Sequence, residues 1–195
     1  MRYDADHKQR TREKVLKAAA KAIRANGPDR VAVADVMADV GLTHGGFYAH
    51  FASKDDLIAA AIGQMFAESR SRLHQETTNR TPRAALSSYI DFYLSPLHRD
   101  ARRSGCPVAA LASDLPRLPA KARATFAEGR ARLALALRGL LEQIGHADAA
   151  AEANSMYAEL LGALSLARLE PDAQASDAIL DDSRAALKRR FGLGR

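Results

Sequence analysis

The chain has one cysteine and no tryptophan in 195 residues, and only 6% of it is aromatic. One cysteine excludes an internal disulfide, so nothing calls for an oxidising compartment. β-Branched residues are sparse beside alanine, which removes the side chains that sheets favour and tilts the chain toward helix. No apolar run is long enough to span a bilayer. The start, MRYDADHKQRTREK, is charged and lacks the apolar stretch of a secretory signal. A soluble, cytoplasmic protein with no membrane partner is therefore expected.

Catalytic signatures are missing as well. There is no G-x-S-x-G elbow, P-loop, G-x-G-x-x-G or H-E-x-x-H. His44-Gly45-Gly46 superficially resembles an esterase oxyanion loop, but no nucleophile elbow accompanies it. His44 and His50 lack a third ligand nearby, and His74, His98 and His146 are scattered along the chain. We therefore expect no enzyme activity, catalytic residue, metal or cofactor.

What is present is a basic, helix-forming chain. The formal charge is +6. Residues 1–54 hold ten Lys/Arg against six Asp/Glu, and the remainder 19 against 17. Net basicity is compatible with a nucleic-acid or acidic-membrane partner, and it leans toward the N-terminus without defining a patch.

Apolar residues recur with helical period from end to end. Residues 10–25 place Val15, Ala19, Ala22 and Ile23 on one face, with Lys14, Lys17, Lys21 and Arg24 largely elsewhere. Asn26-Gly27-Pro28-Asp29 stops that helix. A second helix is expected over 33–40, with Val33, Val36, Met37 and Val40 inward and Gly41 ending it. Thr43 can cap a third over 44–51. Ser53 opens the next in a capping box with Asp56, its hydroxyl on the Asp56 N–H and the carboxylate reaching back. Helical pattern follows over 54–73, 82–94, 107–114, 120–143, 147–169 and 173–191, with 95–107 read as an irregular basic connection. The fold class is all-α with about nine helices.

The front three helices have the form of a helix-turn-helix, whose last helix enters the DNA major groove by its N-terminal residues. Phe47 and Phe51, four apart, share a buried face. His44, Gly45 and Gly46 would then present the first turn to the groove, with Tyr48 and His50 at the sides. Glycine costs a helix about 1 kcal/mol relative to alanine, and two of them there let the backbone approach closely. Thr43, Tyr48, His50 and Lys54 are suitable phosphate donors. With so few side chains in the first turn, His44 is the main candidate for reading a base.

These residues carry a resemblance. Gly27, Val33, Val36, Gly41-Leu42-Thr43-His44-Gly45, Phe47-Tyr48 and His50-Phe51-Ala52-Ser53-Lys54-Asp55-Asp56-Leu57 together resemble the DNA-binding domain of the TetR/AcrR family of bacterial transcriptional regulators, over positions 11–57. The chain departs from that pattern at Val31 and Ala32, where the family usually carries Ser or Thr. The resemblance implies a DNA-binding domain over 1–54 and a helical ligand-sensing and dimerisation domain over 55–195. It also implies a homodimer on a palindromic double-stranded operator, released by a small-molecule inducer. A helical ligand-binding or interaction protein that leaves DNA alone is the alternative.

In the second half, Phe66, Tyr89, Phe92, Tyr93, Cys106, Phe126 and Tyr157 are the candidates for a ligand pocket. The tyrosines stand out because a buried hydroxyl needs a partner. Cys106, beside Pro107 at the expected start of the sixth helix, falls near an N-cap, where the helix dipole favours thiolate. Arg99, Arg102 and Arg103 would act in the same sense. Similar Gly-Cys starts occur in TetR-type regulators that respond to electrophiles or oxidants, which makes Cys106 a redox-sensing candidate; an inert buried cysteine is the other reading. Leu160, Leu161, Leu164 and Leu169, with Ile179, Leu180, Leu187 and Phe191, make the last two helices candidates for the dimer interface.

Overall fold

Apolar stripes of helical period, cut by glycine and proline, give a fold made of helices stacked on one another. The computed structural model describes residues 2–194. It contains α1 (Arg2–Asn26), α2 (Val33–Asp39), α3 (Lys54–Thr77), α4 (Pro82–Tyr93), α5 (Pro96–Asp100), α6 (Pro107–Leu111), α7 (Ala120–Gln143), α8 (Ala149–Leu169) and α9 (Ala173–Arg190). Two short 3₁₀ segments, His44–Ala49 and Leu115–Arg117, complete it. Among the described residues there is no strand, and no helix long and apolar enough to cross a membrane.

The front of the chain forms a small helical unit. α1 buries Val15, Ala19 and Ile23 completely, joined by Leu16 and Ala20, against Val36 and Met37 of α2. Gly41 takes the turn at φ +74°, a conformation that side-chain-bearing residues rarely adopt. The third element is a 3₁₀ segment rather than the expected α-helix. Thr43 stands at its N-cap position, but its hydroxyl makes no capping bond. Phe47 and Phe51 stack with their centroids 5.6 Å apart and are buried. Tertiary burial of this pair therefore holds a segment that its glycines would otherwise destabilise.

α3 links the two halves. At about 1.5 Å per residue its 24 residues span roughly 36 Å. Its main packing partners are α1 at one end and α7 along its length. Ser53 caps it, accepting the Asp56 N–H at 3.1 Å. The return half of the expected capping box is absent, because the Asp56 carboxylate pairs with Lys121 of α7. Further along, the Phe66 ring occupies the space a Cβ on Gly129 would need, 2.3 Å from that position. α4 and α7 pack on α3, and α8 and α9 complete the bundle by packing on α7, on α4 and on each other.

Three further details differ from expectation. α1 begins eight residues earlier, at Arg2. Residues 96–100 form a helix of their own, capped by Ser95, which accepts the His98 N–H at 3.1 Å. Arg24 is not on a solvated face: its side chain is 2% exposed and its Nη2 donates to Glu68 of α3 at 2.8 Å.

Candidate functional site

Two regions bring chemically distinctive residues together. The first is the tip of the front unit. Tyr48 is 66% exposed, and Thr43, His44 and Gly45 are exposed beside it. A Cβ on Gly45 would meet no atom within 4 Å, so this edge of the backbone is open. Gly46 differs: it is half-buried, and its Cβ position lies 3.7 Å from Met37. Of the two glycines, only Gly45 faces outward without obstruction.

His50 is half-buried, and its Nδ1 is buried with no hydrogen-bond partner among the described residues. Burial, followed by the nearby charges of Lys8 and Arg12, lowers its pKa, so its ring is neutral at pH 7. Lys54 donates to the Asp29 carbonyl at 3.3 Å, tying the start of α3 to the turn after α1. At the departure noted above, Ala32 occupies the α2 N-cap with no side-chain bond, and Val31 is buried. The tip can therefore offer hydroxyls, an imidazole, an ammonium and bare backbone to a polyanionic partner.

The second region is a cavity of about 450 Å³ bounded by α3, α4, α5, the loop before α6, and α7. Tyr89, Phe92, Tyr93 and Cys106 line it. Phe66 and Phe126 lie outside the lining, edge to face at 5.3 Å in the bundle core. Tyr157 sits behind the wall, its hydroxyl 3.6 Å from the Cys106 sulfur. Polar residues of α3, among them Glu68, Ser69, Arg72 and Gln75, also reach the cavity, as does His98 of α5. On sequence alone the former resemble an ordinary solvated helix face; only the packing of α4 and α5 alongside reveals them. The Ser95-Pro96 cap would have signalled the helix that places His98.

The floor of this cavity is uncharged. Burial, with the Cys106 thiol as the next contribution, raises the pKa of Tyr89, Tyr93 and Tyr157, so all three phenols are neutral. Among the described residues the buried Tyr93 hydroxyl has no hydrogen-bond partner, which leaves one donor for a ligand acceptor. His98 donates from Nδ1 to the Tyr93 carbonyl at 2.8 Å, and its Nε2 accepts the Cys106 N–H at 3.2 Å. Burial holds its pKa down at about 4. Charge is kept to the α3 wall, where Arg72 lies 4.8 Å over the Phe92 ring and Phe92 in turn stacks on His98 at 5.0 Å.

Cys106 is at the N-cap of α6, buried, with no side-chain capping bond. The upstream arginines are not its partners. Arg99 pairs with Asp100 at 2.8 Å and Asp177 at 2.6 Å, while Arg102 and Arg103 are exposed. Among the described residues, no group of three or more His, Cys, Asp or Glu is placed to hold a metal ion.

Comparison with known proteins follows the same division. Residues 15–61 match the family model of bacterial regulatory proteins of the tetR family. A Bacillus subtilis (strain 168) protein described as an uncharacterized HTH-type transcriptional regulator, YfiR, is 26% identical over 103 residues. That alignment covers 53% of this chain and 50% of the relative, so the chain matches about half its length. Among solved structures, a TetR-family transcriptional regulator from Agrobacterium tumefaciens is 27% identical, with a TM-score of 0.78 over 93% of this chain and 98% of that one. The reduced form of E. coli NemR shares the fold at 21% identity, with a TM-score of 0.81 over 92% of this chain and 95% of its own. A TetR transcriptional regulator from Chloroflexus aurantiacus does so at 23% identity and 0.81, over 96% of each chain. Residues 15–61 are thus a TetR-family N-terminal domain, and the chain that carries them has the fold of a TetR-family regulator.

Proposed function

We propose that the chain is a DNA-binding transcriptional regulator of the repressor type. It acts as a homodimer on a palindromic operator and is released by a small-molecule inducer in the α3–α7 cavity or by modification of Cys106. Residues 1–54 are the DNA-binding domain and 55–195 the sensing and dimerisation domain. Thr43, Tyr48, His50 and Lys54 contact phosphates, Gly45 and Gly46 let the backbone into the groove, and His44 reads a base. Inducer rests against Tyr89, Phe92, Tyr93 and Cys106, with Phe66, Phe126 and Tyr157 supporting them from behind.

One observation carries the regulatory part of this reading. Glu68 lines the cavity and also holds Arg24, a buried residue of α1 in the DNA-binding domain. A ligand that draws on the Glu68 carboxylate loosens the bond orienting that domain on α3. In a dimer whose half-sites lie about 34 Å apart, a small change in separation loses simultaneous contact. The Gly105-Cys106 start of α6 supports the thiol route, since Cys106 is reachable from the same cavity.

The test is binding to DNA from upstream of the chain's own gene, followed by fluorescence anisotropy. Specific affinity should fall steeply with salt, and Tyr48→Phe combined with Lys54→Ala should weaken it. Unchanged affinity in the double variant overturns the phosphate contacts. A failure to bind at any salt favours a helical ligand-binding protein without DNA. Diamide should release the wild type and leave Cys106→Ser bound; equal release from both removes Cys106 from the mechanism.

A further inference from the structure

A second concavity, of about 570 Å³, lies on the opposite side of Arg24, between the turn after α1 and the α6–α8 face of the bundle. Its walls carry five arginines, Arg24, Arg30, Arg102, Arg117 and Arg168, against two acids, Asp29 and Asp114. Two of these charges are answered: Arg24 by Glu68 at 2.8 Å and Arg117 by Asp114 at 2.7 Å. Arg30, Arg102 and Arg168 have no carboxylate partner among the described residues. Like charges gathered in one groove raise the free energy of the unliganded protein, and an anion relieves it.

Two features indicate a formed site rather than a solvated surface. Arg168 is half-buried and fixed: its Nε donates to the Arg99 carbonyl at 3.0 Å and its Nη2 to the His98 carbonyl at 3.2 Å. Its Nη1 has no hydrogen bond among the described residues. Burial lowers its pKa, and Arg102 is the chief like charge acting in the same direction. Independently, Arg24 on the facing wall is also fixed, its Nη2 donating to Glu68 at 2.8 Å and to the Met65 carbonyl at 3.4 Å. The planar guanidinium fork of Arg168, held in place, matches the paired oxygens of a phosphoryl group better than a single charged point, exposed Arg30 and Arg102 can close on them, and the groove has room for more than one such group.

We infer that this groove at the junction of the two domains is a binding site for a small phosphate-bearing molecule, held chiefly by Arg30 from the DNA-binding side and Arg102 and Arg168 from the bundle. The bound anion bridges the two domains through charge-assisted hydrogen bonds. It is distinct from the α3–α7 cavity, whose floor carries no charge, although residues 98–105 contribute to the walls of both.

Isothermal titration of the full-length, DNA-free protein with inorganic pyrophosphate tests this, and its outcome is independent of operator binding. Saturable binding of one pyrophosphate per chain is expected. Arg30→Ala and Arg102→Ala, both at exposed positions, should each weaken it at least about tenfold, the equivalent of one charge-assisted hydrogen bond. Arg132→Ala removes the same charge from an exposed site on α7 and should leave binding unchanged. No saturable binding, or equal weakening by Arg132→Ala, would overturn the site. Citrate binding as tightly as pyrophosphate would overturn the assignment to phosphate.

Discussion

Arg24 of α1 and Glu68 of α3 form an ion pair 2.8 Å long that is buried at only one end: the arginine side chain is 2% exposed and the glutamate 34%. The asymmetry decides what each substitution costs. Glu68→Gln leaves a buried guanidinium without its counter-charge, its Nε already unpartnered among the described residues, and should destabilise the chain by about 2–3 kcal/mol, below the usual range for a fully buried pair. Arg24→Met leaves a carboxylate that water can reach and Gln64 already contacts, so it should cost less than about 1 kcal/mol. Urea unfolding at pH 7 measures both. Equal losses would mean that the pair is not closed on the α1 side.

Gly45 separates stability from binding. Its Cβ position is open, so Gly45→Ala restricts the unfolded chain without a clash and should stabilise the fold by up to about 1 kcal/mol. The same methyl group stands where the groove floor would approach, and should weaken operator binding by about tenfold or more. Thermal unfolding and anisotropy on one preparation give the two signs. Affinity equal to wild type would show that this edge does not enter the groove.

His98 makes stability depend on pH. Its folded pKa of about 4 lies below the ordinary 6.5, so between those values the unfolded state binds a proton that the folded state refuses. Stability therefore falls as pH drops through 6.5 and goes on falling to about 4, at about 1.4 kcal/mol per pH unit. The structural cause is burial of the ring; protonating Nε2 would also displace the Cys106 N–H that it accepts. From pH 7 to pH 5 the contribution is about 2 kcal/mol lost. His98→Gln should show a shallower decline in urea midpoint over that interval. Parallel curves would assign the decline to other groups.

The legible parts of this fold were those with local causes. Pro82 after Thr81, Ser53 ahead of Asp56, and Gly27 and Gly41 after apolar runs mark ends that residues near in sequence determine, and the helices begin and stop there. The missed parts had distant causes. Arg24 carries the charge of a solvated face, and its partner is 44 residues away. Glu68, Arg72 and Gln75 repeat on the polar side of α3, and only α4 and α5 turn that side into a cavity wall. The 3₁₀ form of His44–Ala49 lies between these cases. The glycines weakened the helical expectation, but the burial of Phe47 and Phe51 that holds the segment is tertiary.

The last two helices divide their apolar residues in a way that bears on the proposed dimer. Leu160, Leu164, Leu180, Leu187 and Phe191 are spent inside the chain. Leu166 and Leu169 remain 59% and 78% exposed, on one face of α8 with Gly162, whose Cβ position is also open. A small residue followed by leucines at i+4 and i+7 is a surface on which a second α8 can pack closely. Leu166→Glu with Leu169→Glu places like charges on both sides of a two-fold interface, at positions exposed within the chain. The variant should sediment as a monomer, with stability per chain within about 0.5 kcal/mol of a dissociated wild type. Operator affinity should fall about a hundredfold, because the second half-site is no longer tethered to the first. A variant that remains dimeric places the interface on another face, and one that is monomeric yet binds as tightly removes the two-fold requirement from operator recognition.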